Sequence, residues 1–136
     1  MTPAATAHRT GRVLVADDDR GVRESVTEIL ESCGFIVTEA RDGQEALERL
    51  VAGEIDALVL DVRMPRRDGL AVLDHMDPAP PPPGVVLVTG FDVGEEIRVR
   101  LGGRVARILR KPVPPPTLIE AVTDAVRLKR HDGGDS

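Results

Sequence analysis

Aromatic residues are almost missing from this chain: Phe35 and Phe91 are present, and tryptophan and tyrosine are absent. The core must therefore be aliphatic, and ring platforms for stacking single-stranded nucleic acid are excluded. Cysteine is reduced to one, Cys33, so no internal disulfide can form, which fits a reducing compartment. Cys33 itself reads as a core residue at a helix end. No apolar run approaches the length of a membrane span, and the first residues lack an apolar signal core. A cytoplasmic protein without membrane contact is expected. An excess of positive charge is missing too. The net charge of −5 disfavours a dominant nucleic-acid surface, and no direct nucleic-acid binding is expected. His8, His75 and His131 do not form a ligand set with one another.

What the chain does have is a regular alternation of short apolar runs and helical patterns. Residues 1–11 are small, polar and aperiodic, and are expected to be a disordered leader. Strands are expected over residues 12–16, 35–38, 55–60, 85–88 and 105–109. Between them lie helical patterns. The first starts at Asp19 as N-cap, turns Val22, Val26, Ile29, Leu30 and Cys33 to one face, and is closed by Gly34. The second runs over 43–52, capped by Asp42, with Ala46, Leu47, Leu50 and Val51 inward. A short third covers 69–76 with Leu70, Leu73 and Met76 as its buried stripe, and a weaker fourth covers 93–101. The last spans 117–130 with Leu118, Ile119, Val122, Ala125 and Val126 inward, and Arg127, Lys129 and Arg130 suit its C-terminal dipole. The proline run 78–83 reads as a stiff spacer between helix and strand. Five strands alternating with five helices predict an α/β fold. It is a single flavodoxin-like, doubly wound domain over 12–130, with a parallel sheet covered on both faces. Residues 131–136 are expected to fray.

In such a sheet chemistry collects at the C-terminal strand ends. The first strand delivers Asp17 and Asp18, the third Asp61, the fourth Thr89 and the fifth Lys111. Asp61 is the most conspicuous: the apolar run 58–60 ends in this carboxylate, followed by a Met64-Pro65 turn. Carboxylates sharing a pocket repel one another unless a positive charge joins them. An oxygen-rich acidic set suits a hard divalent cation, Mg²⁺ or Mn²⁺. With an ammonium at Lys111 and a hydroxyl at Thr89, the set would accommodate a phosphoryl group in transfer, with Asp61 as nucleophile.

The acidic pair Asp17-Asp18, the segment from Asp61 to Pro65 with Asp68-Gly69, Thr89-Gly90 and Lys111-Pro112 stand in order. In this the chain resembles the receiver domain of two-component response regulators from about Arg12 to Arg130. The resemblance implies the strand order 2-1-3-4-5 and a cis Lys111-Pro112 bond. It also implies phosphorylation of Asp61 by a histidine kinase or phosphotransfer protein. Asp18, Asp61 and the Arg63 carbonyl would ligate Mg²⁺ directly, and Asp17 through metal-bound water. Thr89 and Lys111 would engage the phosphoryl oxygens. The protein would be a phosphoryl acceptor that assists its own phosphorylation and dephosphorylation, rather than an enzyme.

Three positions modulate that expectation. The Arg63 side chain could shield the phosphoryl group or point to solvent. Gly90 leaves the pocket open to water or a donor. Ile108 stands where the family usually has an aromatic residue that fills the space vacated by the threonine, so coupling would run through aliphatic repacking or loop movement. The segment from the fourth helix to the last strand carries Arg98, Arg100, Arg104, Arg107 and Arg110. They form either a solvated face or part of the surface, made by the fourth helix, fifth strand and last helix, where the resemblance implies contacts with a downstream partner or a second copy. Six residues follow Arg130, so either a stand-alone receiver or a piece of a longer protein is expected, with Met1 and the polar tail favouring the former. Two other readings remain open. A flavodoxin-like ligand-binding module would want a phosphate-cradling loop where Asp17, Asp18 and Asp19 stand. An aspartate-nucleophile phosphatase would want an acid at the position of Arg63.

Overall fold

The computed structural model describes residues 11–64, 68–76, 82–90, 95, 98–99 and 105–134. Its elements in chain order are β1 (Arg12–Ala16), α1 (Arg20–Ser32), β2 (Ile36–Ala40), α2 (Gly43–Ala52), β3 (Ala57–Asp61), α3 (Gly69–His75), β4 (Gly84–Thr89), β5 (Val105–Arg110) and α4 (Pro115–Gly134). The strands form one parallel sheet, as the alternation predicts, in the order β2-β1-β3-β4-β5 that the resemblance implies. Of the helix expected over 93–101, Glu95, Arg98 and Val99 are described, and all three are helical. The rest of it, and most of the proline spacer, lie outside the described residues. Among the described residues no helix is long and apolar enough to cross a membrane.

The central strands read as unbroken apolar runs because both of their faces are buried. Alternate residues point to opposite sides. Val13, Val15, Ala57, Val59, Val86, Val88 and Leu109 pack with Leu30 of α1 and with Leu118, Val122 and Val126 of α4. Leu14, Leu58, Leu60, Val85 and Leu87 pack with Ala46 of α2 and Val72 and Leu73 of α3. Two aliphatic layers thus sandwich the sheet, and Phe35 is the one aromatic side chain among their buried members.

Helix starts follow the caps. Asp19 accepts the Val22 N–H at 3.1 Å and Asp42 the Glu45 N–H at 2.8 Å, while Glu45 reaches back to the Arg41 N–H at 3.0 Å. α1 ends at Ser32 with Cys33 as C-cap, and Gly34 follows with φ +101°.

Several expectations shift. Val51 is 88% exposed rather than inward, because it lies about 140° around the helix from Ala46, at 3.6 residues per turn. On α3 the fully buried pair is Val72 and Leu73, while Leu70 and Met76 are half-buried. β3 starts at Ala57 rather than residue 55; Asp56 just before it donates its N–H to the Arg12 carbonyl at 2.7 Å, and its carboxylate accepts the Arg12 N–H at 2.8 Å. Gly11 is buried rather than part of a loose leader, and its carbonyl accepts the Ile36 N–H at 3.0 Å. α4 extends four residues beyond its expected end. Lys129 serves more than the dipole of α4: its Nζ donates to the Ile55 carbonyl at 2.6 Å and lies 3.5 Å from Asp56, fastening α4 to the start of β3.

α4 presses on β4 closely enough to dictate a residue type. A Cβ on Gly84 would overlap the carbonyl oxygen of Ala125, and that helix backbone cannot rotate away as a side chain could. Gly84→Ala is expected to lower the unfolding free energy by about 1–3 kcal/mol, read as a lower urea midpoint at unchanged m-value. An unchanged midpoint would show that α4 is not seated so closely.

Candidate functional site

The period of two along a strand decides which charged groups meet. Asp17 continues the row of Val13 and Val15, Asp61 that of Ala57 and Val59, and Lys111 that of Leu109. All three rows lie on the face covered by α1 and α4, and the parallel sheet brings their C-terminal ends to one edge. Asp17 and Asp61 are only 5% and 6% exposed, whereas Asp18 is exposed. Lys111 Nζ donates to Asp17 Oδ2 at 3.0 Å and to Asp61 Oδ2 at 3.2 Å. Oδ1 of Asp17 accepts the Asp19 N–H at 2.9 Å, and Oδ1 of Asp61 the Arg63 N–H at 3.3 Å. Carboxylate oxygens of Asp17, Asp18 and Asp61 all lie within 4.8 Å of one another. Three such hard oxygen donors make a cluster able to hold a divalent cation.

Thr89 ends β4 one position beyond Val88, the partner of Asp61 across the sheet, and is 1% exposed. Its carbonyl accepts the Lys111 N–H at 2.8 Å, which ties the backbone of the lysine to the end of β4. The Lys111-Pro112 bond is cis. A cleft of about 820 Å³ opens beside these groups, running from Asp61 and Lys111 under α1 past Val22 and Val26. Gly90 borders it, and nothing lies within 4 Å of where its Cβ would stand.

The acid-glycine pair after Asp61 has a structural use as well. Asp68 caps α3 by accepting the Ala71 N–H at 2.8 Å. The Gly69 N–H donates to the Val62 carbonyl at 2.7 Å, and a Cβ on Gly69 would overlap the Asp61 carbonyl oxygen. α3 therefore starts flush against the peptide that carries Asp61.

Comparison with known proteins agrees with this geometry. Residues 13–123 match the response regulator receiver domain family. The chain belongs to that family. Its relatives include "Response regulator MprA" of Mycobacterium ulcerans, 37% identical over 128 residues, which are 92% of this chain and 55% of that protein. Among solved structures, the signal receiver domain of response regulator NarL from Mycobacterium tuberculosis is similar at 32% identity and TM-score 0.76, over 87% of this chain and 97% of that one. A CheY-like response regulator receiver domain from Methanospirillum hungatei is similar at 25% identity and TM-score 0.82, over 91% of this chain and 99% of that one. This receiver domain spans about half the length of the curated relatives it matches.

The residues that depart from the family pattern lie around the receiver site rather than in it. Arg63 is exposed. Ile108 is half-buried on the opposite face of the sheet, beside Leu87. Of the arginine-rich face, Arg100 and Arg104 fall outside the described residues and Arg98 is exposed. Arg107 is turned toward its own chain, 3.3 Å from Glu120 and 3.9 Å from Asp124 of α4. One contact had no counterpart in the sequence reading: Arg23 on α1 donates to the Asp17 carbonyl at 2.8 Å and to Glu39 on β2 at 2.9 Å.

Electrostatically the receiver site is one ammonium shared by two buried carboxylates. Burial first, and the charge of Asp17 second, push the Asp61 carboxyl above the usual carboxylate range; Lys111 and the Arg63 N–H counteract them only in part. Burial alone would lower Lys111, but its hydrogen bond and ion pair with Asp17, then Asp61, outweigh this and raise it. The two directions are consistent, because a single cation gains from both acids while neither acid has it to itself. The signs follow by linkage. Asp61 binds its proton more tightly in the folded than in the unfolded state, so its contribution is greatest in acid and is lost as pH rises through its raised folded pKa. Lys111 contributes fully below its unfolded pKa, and its share is lost as pH rises through the higher folded value. Metal-free Asp61→Asn is therefore expected to melt above the wild type at neutral pH, with the gap closing as acid protonates Asp61. A variant melting at or below the wild type would mean that Lys111 fully compensates the charge.

Proposed function

We propose that this receiver domain is a phospho-accepting switch and that Asp61 is the acceptor, charged by a histidine kinase or phosphotransfer protein. The observation that carries this reading is the position of Asp61: a buried carboxylate at the end of a central strand, 3.2 Å from a lysine ammonium and grouped with two further acids. An oxygen of Asp61 attacks phosphorus, the bond from phosphorus to the donor imidazole nitrogen breaks, and that nitrogen keeps the bonding pair, so that the ring, protonated on its other nitrogen, leaves neutral. Lys111 offsets charge on the transferring oxygens, and Thr89 supplies a hydroxyl donor from the neighbouring strand end. Asp18, Asp61 and the Arg63 carbonyl would hold Mg²⁺ or Mn²⁺, with Asp17 acting through water. The ion, when bound, neutralises phosphoryl charge that the carboxylates would otherwise repel. Gly90 and the adjoining cleft admit water or a donor, and the chain thus assists its own phosphorylation and dephosphorylation.

The functional unit is residues 12–130, working in the cytoplasm. With Ile108 beside Leu87 in an aliphatic layer, output runs through aliphatic repacking rather than through an aromatic rotamer. It reaches a downstream protein or a second copy at the face formed by residues 93–101, β5 and α4.

Incubation with Mg²⁺ and acetyl phosphate is expected to add one phosphoryl group, seen by intact mass, labile to hydroxylamine and absent from Asp61→Asn. An unmodified wild type would overturn the assignment, and sustained turnover of phosphate esters would instead support a phosphatase.

A further inference from the structure

We infer that Arg23, held by Glu39, is a positioning residue for the cation site, because it locks the peptide between the two acids that follow β1. The inference rests on the metal-binding reading of Asp17, Asp18 and Asp61 given above. The Asp17 carbonyl belongs to the peptide unit joining Asp17 to Asp18. A change in ψ at Asp17 that φ at Asp18 does not cancel would swing Asp18 and its carboxylate relative to Asp17, and holding the Asp17 carbonyl restrains that ψ. One side of the corner is secured by the sheet, since the Asp17 N–H donates to the Ala40 carbonyl at 3.1 Å. The carbonyl lies beyond the last β1–β2 partner pair, Ala16 with Ala40. It is taken up instead by the Arg23 guanidinium, whose NH1 donates to it at 2.8 Å.

The same guanidinium is fixed from its other edge. Its Nε donates to Glu39 Oε1 at 2.9 Å, and the Arg23 side chain is only 14% exposed. Glu39 immediately precedes Ala40, so both restraints on Asp17 come from adjacent residues of β2. A planar fork of donors can make two such contacts at once; the single ammonium of lysine cannot reproduce that geometry. The clamp thus runs from β2 through α1 to the corner of β1, and Asp17 and Asp18 sit on either side of the peptide it holds.

Charge and position predict opposite outcomes. If Arg23 acted only as a nearby positive charge, removing it would tighten binding of a divalent cation to the acidic cluster. If it positions the peptide, removing it weakens binding, by about tenfold on the scale seen when groups that orient metal ligands are lost. The probe is Mg²⁺ alone, titrated calorimetrically into the full chain at neutral pH, well below the melting temperature of each variant. Arg23→Gln is expected to weaken Mg²⁺ binding about tenfold. Arg23→Lys, which keeps the charge, is expected to weaken it nearly as much, and Glu39→Gln less but in the same direction. With acetyl phosphate as donor, the half-saturating Mg²⁺ concentration should rise while the rate at saturating Mg²⁺ stays near the wild-type value.

Unchanged or tighter Mg²⁺ binding by folded Arg23→Gln overturns the inference, as does full affinity in Arg23→Lys. Should Arg23→Gln fail to fold, Arg23→Lys decides, because it keeps the charge and loses only the fork, and wild-type affinity there overturns it. A wild-type chain that binds no Mg²⁺ overturns the underlying metal reading instead, a result distinguishable from failure of the clamp alone.

Discussion

One ammonium lying between two buried carboxylates is the contact on which the rest of the site depends. Lys111 and Asp17 are 94 positions apart in sequence, and only the parallel sheet brings the ends of β1, β3 and β5 to the same edge. Burial makes this contact consequential. In water such a pair would contribute little, but Asp17 and Asp61 are each less than a tenth exposed, and carboxylates at that depth need compensation. A single lysine cannot neutralise both. The residual negative charge leaves the site poised for a further cation, and that demand follows from the protein's own residues. The opposite end of the sheet offers a contrast: there Lys129 meets one carboxylate and one carbonyl, a locally balanced arrangement that holds α4 in place.

Much of this was legible in the sequence because the site residues break a pattern that the core keeps. Unbroken aliphatic runs such as 13–16, 57–60 and 85–88 are what strands buried on both faces require, so an aspartate closing residues 58–60 is conspicuous, as are an acid pair closing β1 and a lysine-proline closing β5. The caps at Asp19 and Asp42 were equally plain, since their side chains act within three residues of themselves. What was not legible involved contacts across the fold. Arg23 looks like any charged residue on the outer edge of an amphipathic helix until β2 brings Glu39 beside it. Lys129 fits a helix dipole until the start of β3 is placed beneath it. Val51 fits the apolar pattern but lies about 140° around α2 from Ala46, which carries it out of the interface. Asp68-Gly69 was grouped correctly with Asp61, but the reason for the glycine, a backbone almost touching the Asp61 carbonyl, exists only in three dimensions.

The two sides of the sheet do different work. On the face of α1 and α4, apolar rows run directly into Asp17, Asp61 and Lys111, so the packing that positions Val15, Val59 and Leu109 also positions the charges two residues further on. Thr89 follows the other row, that of Val85 and Leu87, and Ile108 lies on the same side. The charged groups and the threonine therefore approach one edge from opposite faces. They are joined by the hydrogen bond from the Lys111 N–H to the Thr89 carbonyl. The backbone at Lys111 is thus linked to the end of β4 without any side-chain intermediary. In a core built from Val, Leu, Ile and Ala, that bond ties the backbone of the lysine shared by the carboxylates to the strand whose Leu87 lies beside Ile108.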